Sequence, residues 1–234
     1  MSKPRFSNPI FVAIDTPDLD KALAIARAAG PHVGGLKVGL EFITAQGPDG
    51  VRAMTRLGYP VFADVKFHDI PNTVAGASRE IARLGVSIFN VHASGGEAMM
   101  RAAKNAASAI NPGMKIIAVT LLTSLDENDV AAIGCRGTAA EQVVRLASLA
   151  QKSGLDGVVC SAHEIAAIRK ACGDDFLLVV PGIRPAGADL ADQRRVMTPR
   201  EAVDAGADII VIGRPINAAA DPGEAARAIR ESLK

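Results

Sequence analysis

Apolar and polar residues alternate along this chain in short blocks whose period switches repeatedly between two and about 3.6. Runs of β-branched and aliphatic residues fall at 10–15, 36–39, 61–67, 87–92, 115–122, 157–161, 177–183 and 208–213. Between them, apolar residues recur at helical spacing, as in 19–29, 74–84, 139–153 and 163–172. A strand pattern followed each time by a helix pattern predicts parallel βα units. Eight such units in 234 residues, with no Pro/Gly/Ser-rich linker or low-complexity block between them, predict an α/β protein of one domain. The expected architecture is a (β/α)8 TIM barrel spanning residues 1–234. An open doubly wound sheet would usually carry a glycine-rich first βα turn, and Asp15-Thr16-Pro17-Asp18 is not one.

Boundary signals refine this reading. Thr198-Pro199-Arg200-Glu201 has the form of a capping box, with Thr198 at N-cap, Pro199 at N1 and Glu201 at N3, and Gly206 is placed to end that helix. The segments 123–138 and 184–197 are longer than ordinary βα loops, a length typical of lids and binding loops.

Composition narrows the function classes. Lys and Arg total 26 against 25 Asp and Glu, a net charge of +1, which removes the electrostatic case for a general nucleic-acid binder. Cys135, Cys160 and Cys172 are widely spaced and form no CxxC pair, so neither a zinc site nor a disulfide framework is expected. A reducing, cytoplasmic setting is the corresponding expectation. The opening MSKPRFSNPIF has no apolar stretch of signal-peptide length, and no apolar run approaches the roughly 20 residues that span a bilayer.

The chemistry concentrates in Ala63-Asp64-Val65-Lys66-Phe67-His68-Asp69-Ile70-Pro71-Asn72-Thr73. Alternate residues of a strand share a face, so Phe62, Asp64 and Lys66 point together while Val61, Ala63 and Val65 point toward the helices. Two charges on the inward face of a barrel strand are costly unless paired or functional, and these lie at the strand's C-terminal end, where barrels carry their active sites. Taken alone, the pair also fits a structural ion pair. Asp15 at the end of strand one and Lys37 in strand two add two more charges on the same rim. In such an alternating array each charge favours the ionised form of its neighbours, which makes a proton-donating site. His68 has no second histidine at ligand spacing and is a poor zinc ligand, so no metal is expected. His32, His92 and His163 are scattered and read as structural. Ser161 reads as the cap of the helix start at His163-Glu164 rather than a nucleophile.

The stretch DVKFHDIPNTV resembles the D-x-K-x-x-D signature of the bacterial-type orotidine 5'-phosphate decarboxylases. The likeness continues through Ala13-Ile14-Asp15, Leu36-Lys37-Val38-Gly39, 119–124 (VTLLTS), Pro181-Gly182-Ile183-Arg184-Pro185, Asp192-Gln193 and Ile212-Gly213-Arg214-Pro215-Ile216, in that order at successive strand ends. The resemblance implies a cofactor-free decarboxylation of orotidine 5'-phosphate to UMP. It implies that Lys66 protonates C6 of the pyrimidine, that Asp64 faces the scissile carboxylate, and that Asp15 and Lys37 hold the ribose hydroxyls. Thr123 would contact the pyrimidine, while Gln193, Gly213 and Arg214 bind the phosphate with Arg184 nearby. Asp69 and Thr73 would be contributed to the partner's site in a homodimer. A phosphate site after strands seven and eight is also a recurrent barrel feature, independent of the resemblance.

Two other readings remain at this point. Magnesium-dependent relatives, the hexulose-phosphate synthases and keto-gulonate-phosphate decarboxylases, also resemble D-x-K-x-x-D proteins, but with an acidic metal ligand where Lys37 stands. A barrel that binds phosphosugars or nucleotides without catalysis is the other, since one fold hosts many functions.

Overall fold

A computed structural model describes residues 6–185 and 197–233. Eight strands, β1 (Ile10–Ile14), β2 (Gly35–Val38), β3 (Val61–Phe67), β4 (Ile88–His92), β5 (Lys115–Val119), β6 (Gly157–Val159), β7 (Leu177–Val180) and β8 (Ile209–Ile212), close into a barrel in sequence order. All eight pairings are parallel, and β8 closes on β1 through Ile10↔Ile210, Phe11↔Val211 and Val12↔Ile212. The helices that carry the chain back include α1 (Leu19–Ala29), α2 (Leu40–Thr55), α3 (Pro71–Arg83), α4 (Gly96–Ser108), α5 (Glu127–Ala132) and α6 (Ala139–Lys152). They continue with α7 (Ile165–Cys172), α8 (Pro199–Asp204), α9 (Arg214–Asn217) and α10 (Pro222–Glu231).

The period-two pattern of the strands sorts their side chains into two cores. Phe11, Ala13, Phe62, Ile88, Ile117, Leu177, Val179, Ile209 and Val211 fill the barrel, and their neighbours in sequence pack outward against the helices. On β3 this separates Phe62, inside, from Val61, Ala63 and Val65, outside, as strand alternation predicts. Gly35 is required by this filling: a Cβ there would stand 2.4 Å from the Phe11 ring.

Helix starts follow the sequence signals. The N–H of Glu201 donates to Thr198 Oγ1 at 3.3 Å and that of Thr198 to the Glu201 carboxylate at 2.9 Å, closing the capping box. Gly206, at φ +109, turns the chain out of α8 into the final strand. The glutamate of Ser161-Ala162-His163-Glu164 accepts from the Ser161 N–H at 2.8 Å, so this segment opens a helix.

Three expectations need correction. Strands five and seven end at Val119 and Val180, several residues before the apolar runs do, because the chain leaves the barrel wall while still lining its mouth. The long segment after β5 is not all loop: Asp126 caps α5, accepting from the N–H groups of Asn128 and Asp129 at 2.9 and 3.0 Å. The strand pattern at β3 is not regular to its end, since the register with β4 shifts between Ala63 and Phe67.

Candidate active site

The C-terminal rim of the barrel gathers a chain of alternating charges. Lys37 Nζ lies 3.3 Å from Asp15 Oδ1 and 3.4 Å from Asp64 Oδ2, and Lys66 Nζ lies 2.6 Å from Asp64 Oδ1. The four side chains singled out on three consecutive strands therefore form one continuous Asp15–Lys37–Asp64–Lys66 array. Lys37 is 8% exposed, so its ammonium depends on the two carboxylates for the solvation it has lost. Gly39 keeps room beside it, because a Cβ there would meet Asp15 Oδ1 at 3.0 Å and Lys37 Nζ at 3.1 Å.

Electrostatics follow from this geometry. Burial pushes the Asp64 carboxyl up, but the Lys37 and Lys66 ammoniums and hydrogen bonds from Lys66 and Asn90 outweigh it and hold the group below its ordinary value of 3.8. A carboxyl lowered in the folded state adds stability above its unfolded pKa and loses it as pH falls through the lowered value. Asp64 thus stays ionised at neutral pH and through mild acid. Burial, then His68 and Lys66, hold the His92 imidazole below 6.5 despite Asp64, so His92 is neutral at pH 7. His68 lies against it, ring centroids 5.4 Å apart.

Lys66 carries a feature that strand alternation does not reveal. Its φ is +52°, and among the described residues it alone has a positive φ without being glycine. A left-handed backbone at a non-glycine costs on the order of 1–3 kcal/mol and persists where the surroundings enforce it. Here β4 does so: the Asn90 side-chain oxygen accepts the Lys66 N–H at 2.8 Å, and its Nδ2 donates to Asp64 Oδ1 at 2.7 Å. Asn90 was missed in the sequence. The available signal was an amide at an inward position, between Ile88 and His92, in a strand whose first, second and fourth residues are apolar. Thr120 was missed as well; it is buried, and its hydroxyl donates to the Val159 carbonyl at 2.9 Å, clipping the end of β5 to β6.

Two adjoining cavities open on this rim. The first, about 210 Å³, has Lys37, Asp64 and Lys66 on one side and Val119, Leu121, Val159, Val179 and Val211 on the other, and Thr123 is also in its lining. The second, about 400 Å³, is lined by Asp15, Lys37, Gly182, Arg184, Gly213, Arg214 and Asn217, among others. Lys37, Pro181 and Val211 line both. Arg184 is not a surface arginine: it is 6% exposed, and its Nη1 donates to the Ile183 carbonyl at 3.1 Å. At Gly213 a Cβ would make only ordinary contacts, 3.7 Å to Ala13 and 3.9 Å to Asn217, so the protein itself does not demand glycine there. The absent side chain leaves the backbone open to the cavity.

Asp69 and Thr73, expected to serve the partner's site, stand apart from the cavities of their own barrel. Both are exposed, and the Asp69 carboxylate accepts the N–H of Ile70 at 2.7 Å. Gln193 lies outside the described residues. No helix among the described residues is long and apolar enough to cross a membrane.

Comparison with known proteins identifies the family. The chain is 54% identical over 227 residues to the orotidine 5'-phosphate decarboxylase of Novosphingobium aromaticivorans, covering 97% of this chain and 100% of that one. It is 55% identical over 231 residues to the enzyme of the same name from Moorella thermoacetica, covering 96% and 92%. Among solved structures, the orotidine 5'-phosphate decarboxylase of Lactobacillus acidophilus superposes with a TM-score of 0.86 at 40% identity, covering 97% of this chain and 100% of that one. That of Pyrococcus horikoshii OT3 gives 0.77 at 27%, covering 96% and 98%. The model of the orotidine 5'-phosphate decarboxylase / HUMPS family matches residues 8–229, and the chain belongs to that family.

Proposed function

We propose that this protein decarboxylates orotidine 5'-phosphate to UMP and carbon dioxide, the UMP-forming step of pyrimidine biosynthesis, without a cofactor. One observation carries the reading: the Lys66 ammonium is held 2.6 Å from the Asp64 carboxylate at the mouth of a cavity whose far wall is apolar. A nucleotide has a flat base and an anionic phosphate joined by a hydroxylated ribose. The two cavities match that order, with the base in the first, the phosphate beside Arg214, Arg184 and Gly213 in the second, and the ribose at the Lys37–Asp15 junction. Thr123 contacts the pyrimidine, and Gln193 joins the phosphate ligands.

In this reading the bond from C6 to the carboxylate breaks, carbon dioxide leaves, and the electron pair stays on C6. The Lys66 ammonium stabilises that pair and then transfers a proton to it, giving the C6–H of UMP. The lysine, with its side chain 27% exposed, regains a proton from solvent. Asp64 faces the scissile carboxylate, and phosphate binding in the second cavity supplies energy that aligns the array. The magnesium-dependent alternative fits less well, because an ammonium already stands between Asp15 and Asp64 where a divalent cation would need those oxygens. Loss of orotidine 5'-phosphate absorbance with purified protein tests the activity; the reading expects turnover unchanged by EDTA, and its abolition by EDTA would favour the alternative.

The whole chain acts as one barrel domain in a homodimer, in a cytoplasmic setting that suits its three free thiols. The run from His68 to Thr73 is exposed throughout, and Ile70 within it is 67% exposed, a surface that suits a second copy. Asp69 and Thr73 would then complete the partner's site. Mixing Lys66→Ala with Asp69→Ala subunits should restore about a quarter of wild-type activity, since half the dimers are mixed and each holds one intact site. No recovery after proven subunit exchange would remove Asp69 from the shared site.

A further inference from the structure

Asn90 sits at the one place where the β3–β4 ladder fails. Between Ala63 and Phe67 the chain on β3 advances four residues while its partner on β4 advances two, from Phe89 to Val91. A bulge of this kind leaves backbone groups without strand partners, and a buried N–H left so is costly. The Lys66 N–H, inside the bulge, instead donates to Asn90 Oδ1 at 2.8 Å, while Asn90 Nδ2 donates to Asp64 Oδ1 at 2.7 Å. Asn90 is fully buried, which shields its end of each bond from water. A carboxamide is the side chain that can accept from one neighbour and donate to the other across a single planar group.

We infer that Asn90 is a positioning residue for the proton-transfer pair: one amide locks the left-handed backbone that aims Lys66 and the carboxylate rotamer that holds its ammonium. The consequence for Asp64 is a division of labour between its oxygens. Oδ1 receives Lys66 and Asn90, and Oδ2 is left to Lys37. Without the amide, Lys66 could return to the extended backbone usual in a strand, and its nitrogen would move relative to the cavity. This role rests on the decarboxylase reading, yet part of it can be measured without any turnover.

Two variants of the full-length protein test it. Asn90→Ala removes both bonds, and kcat should fall by about 100-fold, the scale of a misplacement near 1 Å. Affinity for UMP should stay within about threefold, because the phosphate contacts lie in the other cavity. Asn90→Asp keeps the acceptor for the Lys66 N–H but turns a carboxylate on Asp64. Asp64 is faced by Lys37 from β2, Lys66 from its own strand, and Asn90 and His92 from β4. Replacing the neutral amide by a like charge should therefore raise the Asp64 titration, followed by carboxyl carbon NMR, by about one unit or more. The acid limb of kcat should move with it.

A merely structural asparagine would give a lower melting temperature with kcat and UMP affinity falling together. That pattern overturns the inference, as does a folded Asn90→Ala with kcat within about threefold of wild type. Should Asn90→Ala fail to fold, Asn90→Asp decides alone: kcat falling while UMP affinity holds supports the inference, and the two falling together overturns it. Should the wild type show no turnover, the decarboxylase reading falls, and the NMR arm still decides whether Asn90 governs Asp64.

Discussion

The two halves of the barrel mouth are built from opposite materials. At the inward positions nearest the rim, β1 to β4 present Asp15, Lys37, Asp64, Lys66, Asn90 and His92, whereas β5 to β8 present Val119, Val159, Val179 and Val211. The strand pattern is the same in both halves; only the inward residues differ. A charged array facing water would be screened, and the same array facing an apolar wall acts in a medium of lower effective dielectric, where each charge counts for more. The apolar half thus has a chemical task although it contains no reactive group. In the proposed reaction it would keep the array's field directed at the substrate and give the flat face of the base a surface to lie on.

The largest break in this contrast comes from Lys66→Ala, which should lower kcat by roughly 10⁴-fold if general acid and electrostatic contributions are both lost. The variant should still fold, because Asp64 keeps Lys37 at 3.4 Å and Asn90 at 2.7 Å. A folded Lys66→Ala protein with ordinary turnover in the orotidine 5'-phosphate assay would end the proposed mechanism. Arg214→Ala comes next. Arg214 belongs to the second cavity, so losing one forked contact to phosphate, worth about 2–3 kcal/mol, should cut kcat/KM by about 100-fold while leaving the array intact. If phosphate binding energy serves only affinity, KM alone will change; a fall in kcat as well is expected when distant binding energy aligns the reacting groups.

The sequence made the charged half easier to read than the apolar one, for a physical reason. Charges on an inward strand face are rare and expensive, so Asp64 and Lys66 stood out from alternation alone, and the closed barrel followed from eight repeated βα periods. The aliphatic residues of β5 to β8 look the same whether they fill a core or line a substrate cavity, and Val119, Val159 and Val179 carried no mark to separate the two. Backbone geometry was hidden in a different way. The left-handed turn at Lys66 depends on Asn90, 24 residues away, and a period-two pattern assumes the regular strand that this contact interrupts. Arg184 was legible as a cation and not as a buried one, because burial is set by tertiary packing and not by its neighbours in sequence.

The apolar half can be tested by the smallest change of shape that alters its character. Val179 is fully buried, belongs to the inner core and lines the first cavity. Val179→Thr keeps the branched outline and adds one hydroxyl facing the cavity or its floor. Burying that hydroxyl should cost about 1–3 kcal/mol. For a chain of this size the melting temperature should drop by about 2–4 °C for each kcal/mol. Its effect on kcat should be modest, about tenfold or less, since no reacting group is touched and only the wall's polarity changes. Val179→Ile, which alters volume but not polarity, separates the two properties: a dry wall predicts that the threonine variant loses more turnover per degree of lost stability. Equal losses in both variants would mean that this half contributes shape alone, and that the array needs no apolar surface opposite it.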